Sequence, residues 1–214
     1  RRLASAPLLV PWSEGGLAEA PRPHGPAVVV PVPVAPSGSP GERDIAAITY
    51  GANPEKKGLD RVLAAWARAR RDGEQLIVAG LDRARGERLV AASREGVRFA
   101  GPLPRDEYRA LLRRSRVFVT APRREDYGIA QLEALADGCV LVTTPSLGPY
   151  AALPLARALD PRLVGDELAI RTALDDPAPG YAERAAELLA PWRPEAVDRV
   201  VAEELLPRLR DPLS

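Results

Sequence analysis

The sequence predicts an α/β domain, a parallel sheet flanked by helices, with further helices towards its C-terminal end. Three observations predict it. Short apolar runs alternate with segments of helical spacing from Asp44 to Thr143. The chain after Gly165 reads as helix, and residues 1–44, which hold much of the proline and glycine, stand outside the alternation. Repeated β–α units of this length imply a parallel sheet covered on both faces.

In residues 1–44, Ala6–Pro11 and Ala27–Val34 are short apolar or β-branched runs. Their prolines restrict them to short or edge strands. The stretch Ala35-Pro36-Ser37-Gly38-Ser39-Pro40-Gly41 has linker composition. Ile45–Tyr50 is then expected as a strand and Leu59–Arg70 as a helix, with Leu59, Val62, Leu63, Trp66 and Ala67 on one face. Further strands are expected at Gln75–Ala79, Val97–Ala100, Val117–Thr120 and Cys139–Thr143, and Ala158–Leu159 is read as one more short strand. Helices are expected at Arg83–Ser93, at Arg105–Arg114 after Pro104, and at Gly128–Asp137, stopped by Gly138. Glu167–Leu174, Tyr181–Leu189 and Pro194–Arg208 complete the helical end, Pro194 suiting a first helical position.

Composition narrows the chemistry. Thirty Lys and Arg against 29 Asp and Glu leave a net charge of +1, no global reason to expect nucleic acid as a partner. The single cysteine, Cys139, lies in an apolar stretch and reads as a buried structural thiol rather than a nucleophile. The single histidine, His24, sits in a Pro-rich segment, which argues against a His-based metal site and a Ser/His/Asp triad. No apolar run reaches the length of a membrane span and no signal-peptide pattern opens the chain, so the expected location is cytoplasmic. The absence of methionine suggests a fragment or a processed chain.

Ligands of open parallel sheets bind beyond the carboxyl ends of the strands. Two loops at that end carry unusual residues. In Arg123-Arg124-Glu125-Asp126-Tyr127-Gly128-Ile129-Ala130-Gln131-Leu132-Glu133, a helix begins at Gly128. The backbone N–H groups of Gly128, Ile129 and Ala130 would then offer an anion site suited to phosphate. Glu125 and Glu133 bracket that site. Carboxylates repel phosphate, so neutral hydroxyls such as those of sugar rings explain them better. Spacing alone reads equally well as two solvated acids around a capped helix. In the first loop, Gly51-Ala52-Asn53-Pro54-Glu55-Lys56-Lys57-Gly58, Gly51 allows close backbone approach and Lys57 can project towards a diphosphate. The spacing is not that of a P-loop, and no Gly-x-Gly-x-x-Gly opens a helix after the first strand, which leaves a nicotinamide enzyme without support.

Taken in order, these motifs resemble the C-terminal, nucleotide-sugar-binding domain of the GT-B glycosyltransferases of the retaining family 4 type. Lys57-Gly58 matches the family's Lys-Gly pair, Ile77-Val78-Ala79-Gly80 its apolar strand, Val97-Arg98-Phe99-Ala100-Gly101 its Val-Arg-Phe-x-Gly segment, and Glu125 with Glu133 its Glu-x7-Glu motif. Tyr127-Gly128-Ile129 stands for the aromatic-Gly-aliphatic triplet, and Trp192 precedes a terminal helix like the family's crossover helix.

The resemblance implies a Rossmann-like fold and three parts. Residues 1–40 would be a remnant of the N-terminal domain and linker, 41–190 the nucleotide-sugar-binding domain, and 191–214 the crossover helix. It also implies catalytic positions at Glu125, holding hydroxyls of the transferred sugar, and Lys57, which neutralises the leaving diphosphate. Glu133 would hold the ribose diol, the backbone of Gly128 and Ile129 the phosphates, and Leu103 the nucleobase, with Tyr127 and Gly51 alongside. No cofactor and no metal are implied. The partner is a nucleotide-sugar donor, with a glycan, lipid or small molecule as acceptor, and a peripheral membrane association stays open. The fragment alone is expected to bind donor without turning it over.

Two departures bear on this. The family's phosphate-binding Arg near Ala52 is missing, leaving Lys56 or Arg124 to compensate, and Ser146-Leu147-Gly148-Pro149-Tyr150 replaces its Gly-Gly-x-x-Glu segment. Both favour the alternative, a non-catalytic glycosyltransferase-like module kept for binding or scaffolding.

Overall fold

The computed structural model describes residues 6–39, 41–89 and 95–210. Five strands form one sheet: β1 (Ile45–Tyr50), β2 (Leu76–Ala79), β3 (Val97–Gly101), β4 (Ser115–Thr120) and β5 (Val140–Thr143). All neighbouring pairs are parallel, in the order β3-β2-β1-β4-β5. This is the expected α/β class, a Rossmann-like sheet between helices. β2 is buried along its whole length, as is β1 up to Tyr50; helices on both faces require such continuous apolar strands.

A short helix α1 (Glu14–Ala18) precedes the sheet, and α2 (Leu59–Ala69), α3 (Arg83–Leu89), α4 (Arg105–Arg114) and α5 (Ile129–Ala136) connect its strands. The expected continuation of α3 to Ser93 lies outside the described residues. In α2 most of the predicted face is buried: Leu59, Val62, Leu63 and Trp66 enter the core, and Trp66 Nε1 donates to the Gly96 carbonyl at 2.9 Å. Ala67, by contrast, is exposed, and Ala65 takes the buried place because the face turns towards that side of the helix. After β5 come α6 (Ala152–Leu159), α7 (Ile170–Asp175), α8 (Tyr181–Leu188) and α9 (Pro194–Val200). A π-helical segment, Val201–Leu205, joins α9 to α10 (Leu206–Arg210). No helix among the described residues is long and apolar enough to cross a membrane.

Three expectations are corrected. Ala158–Leu159 is the end of α6, not a strand. Ala152, Leu155, Ala156 and Leu159 form its buried face at helical spacing, which two residues read alone do not reveal. The runs Ala6–Pro11 and Ala27–Val34 do not make strands; one parallel bridge, Leu9 to Ala27, joins them, since their prolines lack the N–H groups that would extend a ladder. Between them α1 escaped prediction because it spans one turn and contains Gly15 and Gly16; the Ser13 hydroxyl caps it, accepting from Gly16 N at 3.0 Å.

The linker-like stretch is also pinned rather than loose. Arg109 Nη2 donates to the Ala35 carbonyl (2.8 Å), and Asp137 accepts from the Ser37 amide (2.8 Å) and hydroxyl (2.9 Å). Arg109 Nε closes the network on Asp137 at 2.6 Å.

The chain builds β1, β2 and β3 outward in one direction, then crosses back to lay β4 and β5 on the other side of β1. The connections after β1 and β4 therefore diverge, opening a crevice between them at the carboxyl edge. These are the two loops that the sequence singled out.

Candidate functional site

Gly58 brings the loops together. Its φ of +61° is the left-handed conformation that starts α2, and a Cβ there would lie 1.9 Å from the Ala121 carbonyl oxygen. Only a glycine allows this approach. The loop after β1 thus lies directly on the end of β4, and Arg123 N donates to the Lys56 carbonyl at 2.9 Å. The same contact delivers Lys57 to the second loop, where its Nζ meets Glu125 Oε2 at 2.6 Å.

Gln131 Nε2, from the first turns of α5, also donates to Glu125 Oε2 at 3.0 Å. The Glu125 backbone is braced by the segment at Ser146–Tyr150, whose Leu147 carbonyl accepts from Glu125 N at 2.9 Å. Tyr150 packs on Gly128 and shares a hydrogen bond of 2.9 Å with Thr143 Oγ1.

Glu133 stands on α5, where Arg105 Nη2 (2.9 Å) and Arg109 Nη1 (3.3 Å) reach its Oε1. Glu125 and Glu133 are only 4% and 6% exposed, which removes the reading of two solvated acids.

Both acids line one cavity of about 610 Å³ at the switch point, together with Lys57, Leu103, Tyr127, Gly128 and Ile129. Its size is that of a small-molecule site. Gly128, with a φ of +93°, caps the N-terminal end of α5, and the first-turn amides of Ile129 and Ala130, which no intrahelical carbonyl can reach, border the cavity. Of the expected residues, Gly51 alone does not line it. A Cβ there would lie 3.2 Å from both Leu59 and Val78, so the glycine serves packing of β1 against α2, and its neighbour Ala52 faces the cavity.

The compensation expected from Lys56 or Arg124 is not found in the cavity. Lys56 is paired with Asp126, and Arg124 with Asp126 (2.8 Å) and Glu19 (3.0 Å); neither lines the wall.

The lining residues that sequence reasoning missed include Tyr50, Arg105, Tyr108 and Asp126. The two tyrosine rings pack at a tilt, 5.4 Å between centroids. Tyr108 Oη is buried with no hydrogen-bond partner among the described residues. Burial, then the nearby Glu133 carboxylate, hold its phenol well above the ordinary value. Arg105 left one sequence signal, a cation in the first turn of a helix, where the dipole favours acids.

An open parallel sheet with an acid-lined small-molecule cavity at its switch point, beside the first turn of a helix, defines the class as a Rossmann-like ligand-binding domain. The comparisons agree. Residues 44–190 match the family model described as Glycosyl transferases group 1, and the chain belongs to that family. It is 35% identical over 137 residues to a glycogen synthase of Mycobacterium tuberculosis, an alignment covering 58% of this chain and 32% of that protein. The chain therefore spans about a third of that relative's length. Its fold is similar to a chain of the GtfA/B complex (TM-score 0.72, 15% identity, 96% of this chain and 46% of that one). It is likewise similar to a UDP-forming trehalose-phosphate synthase of Burkholderia xenovorans (TM-score 0.70, 16% identity, 99% and 62%). These solved structures share the Rossmann-like GT-B architecture.

Proposed function

We propose that this chain is the donor-binding part of a retaining, family 4 type glycosyltransferase, which moves a sugar from a nucleoside-diphosphate sugar to an acceptor. One observation carries the reading: Glu125, Glu133, Lys57 and the first-turn amides of α5 all border one cavity. The family membership and the glycogen synthase relative support it.

In this reading the diphosphate lies over Gly128 and Ile129 with Lys57 beside it, Glu125 accepts from hydroxyls of the transferred sugar, and Glu133 accepts from the ribose diol. Leu103 meets the nucleobase. As the glycosidic bond breaks, negative charge grows on the diphosphate while the sugar becomes oxocarbenium-like. The fixed amides and Lys57 then bind the transition state more tightly than the ground state. The residues require no cofactor for this.

The same proposal covers the division of the chain into 1–40, 41–190 and 191–214. Its support is that the two end segments bond to each other: Val34 N donates to the Trp192 carbonyl at 2.8 Å, and Arg208 Nη1 to the Ala27 carbonyl at 2.9 Å. Donor binding by this chain without transfer is the expected behaviour.

Calorimetric titration with uridine, guanosine and adenosine diphosphate sugars tests the proposal. Heat is expected with at least one, weakened by Glu133→Ala; heat with none would favour the scaffolding alternative. In the full-length enzyme Glu125→Ala should impair sugar transfer more than nucleotide binding.

A further inference from the structure

The cavity holds more cationic capacity than its own acids use. Among the described residues three carboxylates line it, Glu125, Asp126 and Glu133, and two cations, Lys57 and Arg105. Asp126 is served by Lys56 and Arg124, which stand outside the wall. Glu125 is served by Lys57 at 2.6 Å. Glu133 has a partner of its own in Arg109, 3.3 Å away, whose side chain is 5% exposed and locked in place by Asp137 and the Ala35 carbonyl. That leaves Arg105.

Arg105 differs from Arg109 in every relevant respect. Its side chain is 75% exposed, and among the described residues it spends a single hydrogen bond, from Nη2 to Glu133 Oε1 at 2.9 Å. Nε and Nη1 keep their N–H groups for something else. A guanidinium offers five donors in a planar fork, so one edge can stay on a carboxylate while the other grips a phosphate. Its position adds a second argument. As the first residue of α4 it sits at the positive end of a helix dipole, where a cation is disfavoured and an anion arriving nearby would relieve the repulsion.

We infer that Arg105 is a diphosphate-binding residue, tethered by Glu133 at the edge of the cavity so that its free N–H groups meet the phosphates of the nucleotide. The inference rests on the donor-site reading and adds to it a residue and a coupling. Glu133 both accepts from the ribose and orients the cation for the neighbouring phosphate.

The test compares wild type, Arg105→Ala and Arg105→Lys by calorimetry, using uridine, guanosine and adenosine diphosphates and the three corresponding nucleosides as probes. A thermal melt confirms that each variant is folded, which the exposure of Arg105 makes the expected result. For the diphosphate that wild type binds, Arg105→Ala should weaken affinity at least about tenfold, the size of a lost charge-assisted contact. The corresponding nucleoside should bind both proteins within about twofold, since it carries no phosphate. Arg105→Lys should recover part of the loss, keeping the charge without the fork.

An unchanged diphosphate affinity in Arg105→Ala overturns the inference while leaving the donor site standing. So does an equal loss for nucleoside and diphosphate, which would mark a structural or base-contact role. Failure of wild type to bind any of the diphosphates overturns the donor site itself, and this inference with it.

Discussion

Lys57 Nζ and Glu125 Oε2 lie 2.6 Å apart although 68 positions separate the residues in the chain. The pair joins the loop after β1 to the loop after β4, and Glu125 is buried while Lys57 is 20% exposed on its side chain. Removing the lysine strands a desolvated carboxylate with only Gln131 to satisfy it. Lys57→Ala should therefore destabilise the fold by about 2–3 kcal/mol, somewhat less than a fully buried pair because water reaches the lysine. Adding Glu125→Gln to that variant removes the stranded charge and should recover about half of the loss. Urea denaturation of the two single variants and the double variant measures this, and strict additivity would mean that the pair does not couple the loops.

The approach of Gly58 to Ala121 can be tested apart from its backbone conformation. Gly58 and Gly73 both have positive φ, +61° and +81°, but a Cβ on Gly73 would meet nothing within 4 Å, whereas one on Gly58 collides with a carbonyl. Gly73→Ala should cost only the left-handed strain, about 1 kcal/mol. Gly58→Ala should cost about 3 kcal/mol or more and disturb the placement of Lys57. Equal melting temperatures for the two variants would deny the steric role.

These relationships mark how far the sequence could be read. Strand positions and the face of α2 were legible because a strand covered on both sides must be apolar throughout and a helix covered on one side must repeat. That Lys57, Glu125 and Glu133 share one cavity was legible because the ends of β1 and β4 are where an open sheet divides. Their partners were not. Arg105 and Arg109 meet Glu133 only after α4 and α5 have packed side by side, and no spacing along the chain encodes that contact. Ala152–Leu159 misled for the opposite reason: its last two residues resemble a strand until the whole helical face is counted.

Cys139 illustrates a burial effect with a chemical readout. Its thiol is fully enclosed beside β5 and donates to the Leu112 carbonyl at 3.2 Å; burial pushes its pKa up to about 12. The native protein should therefore be inert to a thiol-specific disulfide reagent at pH 8 and react with one equivalent once denatured. Because the folded value lies above the unfolded one of 9.0, the thiol's contribution to stability is complete below pH 9 and is lost as pH rises towards 12. Cys139→Ala should flatten the alkaline limb of a stability profile over that range. Rapid labelling of the folded protein would contradict the enclosure.

Tyr127 links the cavity to both ends of the chain. Its Oη accepts from Val32 N at 3.0 Å and from Trp192 Nε1 at 2.9 Å, and its ring meets Trp12 edge-on with centroids 5.9 Å apart. Tyr127 lines the cavity, whereas the partners of its hydroxyl, Val32 and Trp192, do not. Tyr127→Phe keeps the wall and leaves two part-buried donors without an acceptor. The expected cost is about 2 kcal/mol in urea unfolding, at about 1 kcal/mol for each donor, with a change in the Trp192 fluorescence that reports its freed indole. Affinity for a nucleoside diphosphate should stay within about twofold, since no group assigned to the nucleotide in the proposed donor site has been removed. Tyr127→Ala removes wall and junction together and should lose both stability and binding. If Tyr127→Phe instead lost binding without losing stability, the hydroxyl would belong to the nucleotide site and the link between the chain ends would rest on the Val34–Trp192 and Arg208–Ala27 hydrogen bonds.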